Sequence, residues 1–117
     1  RAATRHKRSA GHELTVDGNH VSTLHYVVDS EVSIEKFGER FTIPNGVFVG
    51  EVAYLTGNRA SASTYLAADS DVLEWDIGLL KRLSARDPRF RLAMDAMSSL
   101  DLAGKIARAG SPGNEMV

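Results

Sequence analysis

The sequence predicts a mainly β chain with helices at its C-terminal end. Short runs of alternating polar and apolar residues fill the first two thirds, tight-turn pairs separate them, and after Trp75 the apolar spacing changes to threes and fours. At 117 residues the chain has room for one domain, expected over residues 1–110 with a flexible tail at 111–117.

Each element has a local cause. Glu31, Val32, Ser33, Ile34 and Glu35 alternate strictly, the period of a strand with one face on a core and one in water. Arg40, Phe41, Thr42 and Ile43 repeat it. Further strands are expected over residues 12–16, 21–28, 47–49, 62–68 and 72–75, several of them rich in the Val, Tyr, Phe and Thr that suit a pleated surface. The breaks at Asp17-Gly18, Phe37-Gly38, Asn45-Gly46 and Gly57-Asn58 supply residues that reach positive φ at little cost. Short strands with frequent turns predict a sandwich, roll or barrel.

Asp76 is suited to cap a short helix through Leu79, Leu80 and Leu83, although Gly78 inside it costs up to ~1 kcal/mol relative to alanine. Asp87-Pro88 predicts a second helix start, because Asp87 accepts from orphan N–H groups and Pro88 has no N–H to satisfy. Phe90, Ala93, Met97 and Leu100, with Met94 beside them, form one face of that helix, and Gly110 is placed to end it.

Composition narrows the function. The net charge of −1 gives no global attraction to nucleic acid or an anionic membrane, and the absence of cysteine excludes disulfides, thiolate zinc sites and thiol nucleophiles. No apolar run approaches the ~18 residues that a membrane span needs. The chain opens on Arg1 and not on methionine, so a piece of a longer protein or a processed product is expected, with any upstream membrane or targeting segment outside it. No Gly-x-Ser-x-Gly elbow, Walker-type phosphate loop or His-Glu-x-x-His pair occurs, so no enzyme is expected.

The stretch from Val49 to Thr64 carries the chemistry. Gly50 followed by Glu51 breaks an apolar strand, and the small residues Ala60, Ser61, Ala62 and Ser63 leave backbone amides open to an anion. A carboxylate beside such amides is better placed to accept from a sugar hydroxyl than to touch phosphate. The spacing therefore points to a nucleotide.

These residues resemble the cyclic nucleotide-binding domain family over residues 5–108. The matching features are Ala10-Gly11-His12-Glu13-Leu14, the Asp17-Gly18 turn, a hairpin from Leu24 to Ile34, the Gly50-Glu51 cassette, Val72-Leu73-Glu74-Trp75 before a leucine-rich helix, and Asp87-Pro88-Arg89-Phe90. The segment Ser99-Leu100-Asp101-Leu102-Ala103-Gly104-Lys105-Ile106 is also similar to the Popeye-domain branch, whose members carry this fold beneath membrane helices. The resemblance implies an eight-stranded antiparallel β roll, jelly-roll-like, followed by two helices, with a phosphate cassette between two strands and a C-terminal helix acting as a lid. It implies a cAMP or cGMP ligand, no other cofactor, and a cytoplasmic domain that controls an attached membrane or effector region. Transcriptional activators of the family add a DNA-reading motif after the long helix, for which too few residues remain here.

Carried over residue by residue, Gly50 and Glu51 match, with Glu51 where the family's glutamate binds the ribose hydroxyl, Val52 following it, and Ala53 where an amide faces the phosphate. Ala62 and Ser63 match the small residue and the hydroxyl residue beyond the loop, with Ser61 before them supplying a further amide. The family's phosphate arginine follows a proline; here Arg59 takes the proline place and Ala60 the arginine place. The simplest alignment sends Arg59 to solvent, and a one-residue slip would turn it inward. Losing one partner of a desolvated charge pair costs ~2–5 kcal/mol. A hypothetical ~1 micromolar site would weaken to roughly 30 micromolar or into the millimolar range. Two readings follow: a ligand held by loop amides and Glu51, or an interaction module whose C-terminal helix meets a protein partner or a second copy.

Other residues carry blander readings. Without the family likeness Glu51 is a strand-end carboxylate bonded to its own loop. His12, His20 and His25 suggest a metal, but no third ligand of fixed geometry accompanies a pair of them, and they read as surface or satisfied histidines. Arg1, Arg5, His6, Lys7 and Arg8 read as the solvated start of a strand, or as a lipid-facing segment if membrane helices precede them. Arg82, Arg86, Arg89 and Arg91 read as a basic face toward solvent or a partner, and Met94 and Met97 as core.

Overall fold

The alternation and turn chemistry produce eight strands in the computed structural model, which describes residues 3–89, 91, 92 and 96. One sheet runs β1 (Ala3–Arg8), β8 (Ser70–Asp76), β3 (Thr23–Val27), β6 (Val47–Val49), and the other β2 (Glu13–Thr15), β7 (Ser63–Leu66), β4 (Val32–Lys36), β5 (Glu39–Ile43). The antiparallel pairs β1 with β8, β2 with β7, β3 with β6 and β4 with β5 are those of a jelly roll. The mainly β class, the eight strands and the helices after them all stand as expected.

Two clusters hold the roll. Between the sheets, Val32, Ile34 and Leu66 meet Val27, Val47, Val49 and Val72, each at most 2% exposed. On the outer face of the first sheet, Leu24 and Phe48 pack with Tyr54, Ile77 and Leu80 from the helices α1 (Glu51–Thr56) and α2 (Ile77–Arg86), with Tyr26 and Trp75 against them. The first sheet is therefore covered on both faces. This is why β6 is buried at all three positions and β3 shows no clean alternation.

Several expectations change. No hairpin joins Leu24 to Ile34: β3 pairs with β6 and β8, whereas β4 pairs with β5 and β7 in the other sheet. The corner between them is tied by side chains, with Ser30 Oγ accepting from the Ala68 N–H at 2.9 Å and Ser70 Oγ from the Asp29 N–H at 2.9 Å. The Asp17-Gly18 turn likewise carries the chain between sheets. The Phe37-Gly38 turn does close a hairpin, both residues having positive φ, 53° and 76°. The basic run at residues 5–8 belongs to a six-residue strand in register with β8, where Arg5 meets Asp71 at 2.6 Å and Arg8 meets Glu74.

Asp76 caps α2 as expected, its Oδ1 accepting from the Leu79 N–H at 2.9 Å. Asp87 Oδ1 accepts from the Arg89 N–H at 3.0 Å, and residues 88, 89, 91, 92 and 96 are helical. Arg1, Phe90, Ala93, Met94, Met97, Leu100, Gly110, the Popeye-like segment at 99–106 and the tail at 111–117 lie outside the described residues. No helix among the described residues is long and apolar enough to cross a membrane.

Candidate functional site

The cassette begins where β6 stops. Gly50 has φ 99°, and a Cβ there would lie 3.1 Å from the Thr23 carbonyl oxygen and 3.4 Å from Val21 Cγ1. The segment after it is not an open loop, as the sequence suggests, but the short helix α1. Its first intrahelical bond runs from the Tyr54 N–H to the Gly50 carbonyl at 3.0 Å, and Gly57, at φ 76°, ends it. Two flanking glycines let a six-residue helix turn tightly between strands, and such a helix is too short for an apolar period to announce it.

Gly50→Ala is accordingly expected to cost about 2 kcal/mol or more, from left-handed strain plus the crowding of Thr23. Gly11→Ala, at φ 83° with nothing within 4 Å of the added Cβ, isolates the strain alone. Denaturant midpoints of the two variants check this, and equal losses would contradict the crowding argument.

Glu51 is the first residue of α1 and is fully buried. Beyond the helix the chain returns past the β2–β3 connection and bonds to it: the Gly18 N–H donates to the Ala60 carbonyl at 2.9 Å and the Ala60 N–H to the Asn19 carbonyl at 3.0 Å. The Ala60 amide is thus committed to the fold. Arg59 is exposed, and its Nη1 donates to the Gly18 carbonyl at 3.3 Å. Ser63 Oγ accepts from the Asp17 N–H at 3.0 Å. That hydroxyl serves the turn.

Gly50, Val52, Ala53, Arg59, Ala60, Ser61 and Ala62 line one small cavity, joined by Thr15 and Val21. Glu51 and Ser63 are not in its wall. Thr15 and Val21 escape sequence reasoning because they lie far upstream and carry no local signal. Thr15 is held in place by its hydroxyl, which donates to the Ala62 carbonyl at 3.0 Å and lies 2.7 Å from Thr64 Oγ1. The cavity measures about 20 Å³. That is room for about one water, against the ~300 Å³ or more of ordinary ligand pockets. Arg59 is the only charged side chain among the described residues that line it.

A polar cluster stands apart from the cassette on the inner face of the first sheet. His25 lies beside Glu74 in register. Burial pushes its imidazole down to about 4, Glu74 opposes, and His12 and Arg8 add to the lowering. Arg8 grips Glu74 with two hydrogen bonds, Nε to Oε2 at 3.1 Å and Nη2 to Oε1 at 3.0 Å. Burial raises the Glu74 carboxyl, but the bonds and charge of Arg8 outweigh that and hold it below its ordinary value. No group of three or more acidic or histidine side chains among the described residues has the arrangement to hold a metal ion.

No protein-family profile and no curated protein matches the sequence. Solved structures do match the fold. A protein of Geobacter metallireducens assigned as cyclic nucleotide-binding superposes with a TM-score of 0.76 at 9% identity, over 88% of this chain and 78% of that one. The regulatory domain of Toxoplasma gondii protein kinase A, crystallised with cAMP, gives 0.61 at 22% identity over 69% of this chain. The regulatory subunit of a cAMP-independent protein kinase A from Trypanosoma brucei gives 0.59 at 15% identity over 81%. The chain spans 33% and 39% of the lengths of the latter two. The fold thus occurs with cAMP bound and in a protein described as independent of it. Strand pairing and these superpositions agree that this chain has the β-roll fold of cyclic nucleotide-binding domains.

Proposed function

We propose that this chain is a non-catalytic regulatory domain whose phosphate cassette is degenerate, so that cAMP or cGMP binds weakly or not at all. The observation that carries the reading is the pair Arg59 and Ala60. The side chain in the arginine place ends at Cβ, while the neighbouring guanidinium, on the same cavity wall, is engaged by the Gly18 carbonyl. A phosphate there would gain no bidentate partner. The small cavity agrees with this. Such a domain acts through protein contacts, with a partner or second copy meeting its C-terminal helix, in the cytoplasm and attached to a membrane or effector region. The Popeye-like segment is consistent with that attachment.

The alternative reading, a working cyclic nucleotide receptor, draws on Glu51, which begins α1 beside the cavity-lining residues Gly50 and Val52. One titration series separates the two. Followed by calorimetry, the wild-type domain is expected to bind cAMP and cGMP in the high micromolar range or more weakly. Ala60→Arg is expected to raise affinity ~10-fold or more, equivalent to at least ~1.4 kcal/mol, because an inward guanidinium bonds two phosphate oxygens. Arg59→Ala is expected to change little. Tight wild-type binding that Arg59→Ala abolishes would overturn the degenerate reading. In the receptor reading Glu51→Ala weakens a ribose nucleotide and spares inorganic phosphate.

A further inference from the structure

The two sheets end in the strands β1, β6, β2 and β5, and these edges are not alike. An edge strand offers a row of free N–H and C=O groups to any other chain, and folded proteins commonly blunt it with charge, shortness or a bulge. β1 carries Arg5, Lys7 and Arg8. β2 and β6 have three residues each, and the pairing of β2 shifts register between Glu13 and Thr15. β5 has none of these devices along its middle. It runs for five residues in unbroken register with β4, and Phe41 and Ile43 are only partly buried at the rim of the core. Its charges, Glu39 and Arg40, stand at the turn end, and Arg40 is already paired with Glu35 at 2.8 Å. Next to them is Phe37, at φ 53° and 82% exposed. Left-handed strain and an apolar ring in water are two costs, against which a single copy sets the Lys36 ammonium 5.3 Å from the ring centroid.

We infer that β5 is the pairing edge of a symmetric dimer, in which a second copy adds its own β5 antiparallel and the two second sheets become one continuous sheet. The hydrogen bonding of the hairpin selects the register. Lys36 and Glu39 close a two-residue turn whose central residues both have positive φ, so residues 39, 41 and 43 bond to β4, while Arg40 and Thr42 turn their N–H and C=O groups outward. Setting Phe41 against Phe41 of the second copy brings each Arg40 opposite Thr42 of the other. The Arg40 N–H then donates to the Thr42 carbonyl and the Thr42 N–H to the Arg40 carbonyl, and the two-fold axis repeats both bonds. Sliding the copies by two residues either sets Arg40 against Arg40 or sets Arg40 against Pro44, which has no N–H. The matched register also places the Phe37-Gly38 turn of each copy opposite Pro44 and Asn45 of the other, which gives the exposed ring an apolar neighbour. An edge this short buries less than the ~1,200 Å² of stable complexes, so the dimer is weak, with a dissociation constant on the order of 100 micromolar or above. β5 shares no residue with the cassette, and its pairing does not depend on whether a nucleotide binds.

The test is sedimentation of the full 117-residue chain from about 20 micromolar to about 1 millimolar, over which the average mass is expected to rise toward that of a dimer. Thr42→Pro removes an outward N–H that β4 does not use. Thr42→Lys, at the same exposed position, sets a second cation opposite Arg40 of the other copy. Each is expected to raise the dissociation constant ~10-fold or more while circular dichroism shows the parent fold. The chain has no cysteine of its own, so Phe41→Cys is expected to link two copies by a disulfide in a glutathione redox buffer, and Glu39→Cys is not, because only position 41 meets itself on the axis. A parent chain that stays monomeric over the whole range overturns the inference. So does association that both Thr42 variants leave unchanged, which would place the contact on another surface, or equal cross-linking of the two cysteine variants.

Discussion

Replacing Leu80 with alanine lowers the unfolding free energy by about 2–5 kcal/mol, a large share of the total for a domain of this size. Leu80 is fully buried and joins Leu24, Phe48, Tyr54 and Ile77 in the cluster that fastens both helices to the outer face of the first sheet. Its truncation leaves a cavity that the sheet cannot close, because β3, β6 and β8 are fixed by their ladders. Trp75 packs against this cluster, so its emission should shift to the red as the helix loosens. Leu92→Ala, at a residue 70% exposed, is the control and should stay within ~0.5 kcal/mol of the parent. Chemical denaturation with fluorescence detection measures both, and similar losses for the two would refute the docking role of Leu80.

Acidification from pH 7 to about 4 removes on the order of 3 kcal/mol of stability through His25 alone. The folded chain holds this imidazole neutral down to about 4, whereas the unfolded chain takes up a proton near 6.5. Below pH 6.5 the unfolded state therefore binds more protons, and stability falls with falling pH until the folded form also titrates. The contribution is complete above 6.5, is lost between 6.5 and 4, and is flat below. Its size follows from ~1.36 kcal/mol for each pH unit of the window. Glu74 and Asp71, both held below their ordinary values, extend the loss to still lower pH, since their stabilisation requires the ionised form. His25→Gln should flatten the profile between pH 6.5 and 4 while leaving the steeper acid limb. A profile unchanged by that substitution would place the titrating group elsewhere.

The strands that could be read from sequence are those whose information is local. The 31–35 alternation gives β4, and Gly38, which reaches positive φ at little cost, marks the turn of its hairpin to β5, where Phe37 is also held at positive φ. The Asp76 and Asp87 caps are legible for the same reason: donor and acceptor lie within three residues of one another. β1 is only partly legible. Its residues are mostly exposed and charged, and what makes them a strand is the edge of β8, with Asp71 and Glu74 some 66 residues away. The separation of β3 from β4 into different sheets is likewise invisible, because a turn that closes a hairpin and a turn that crosses between sheets use similar residues. Their difference here lies in the distant hydroxyl and amide of Ser70 and Ala68.

The same division runs through the candidate site. By itself the sequence determined that the chain is mainly β with helices following, that Gly50-Glu51 interrupts a strand, and that Ala60 cannot supply a guanidinium. Each is a property of a residue or its immediate neighbours. Only the tertiary structure decided that a helix follows Gly50, that Arg59 bonds to the Gly18 carbonyl, and that Thr15 and Val21 complete the cavity wall. These depend on which strands become neighbours when the two sheets close on their shared core. That choice is made by the summed burial of apolar side chains along the whole chain, and no short stretch of sequence contains it.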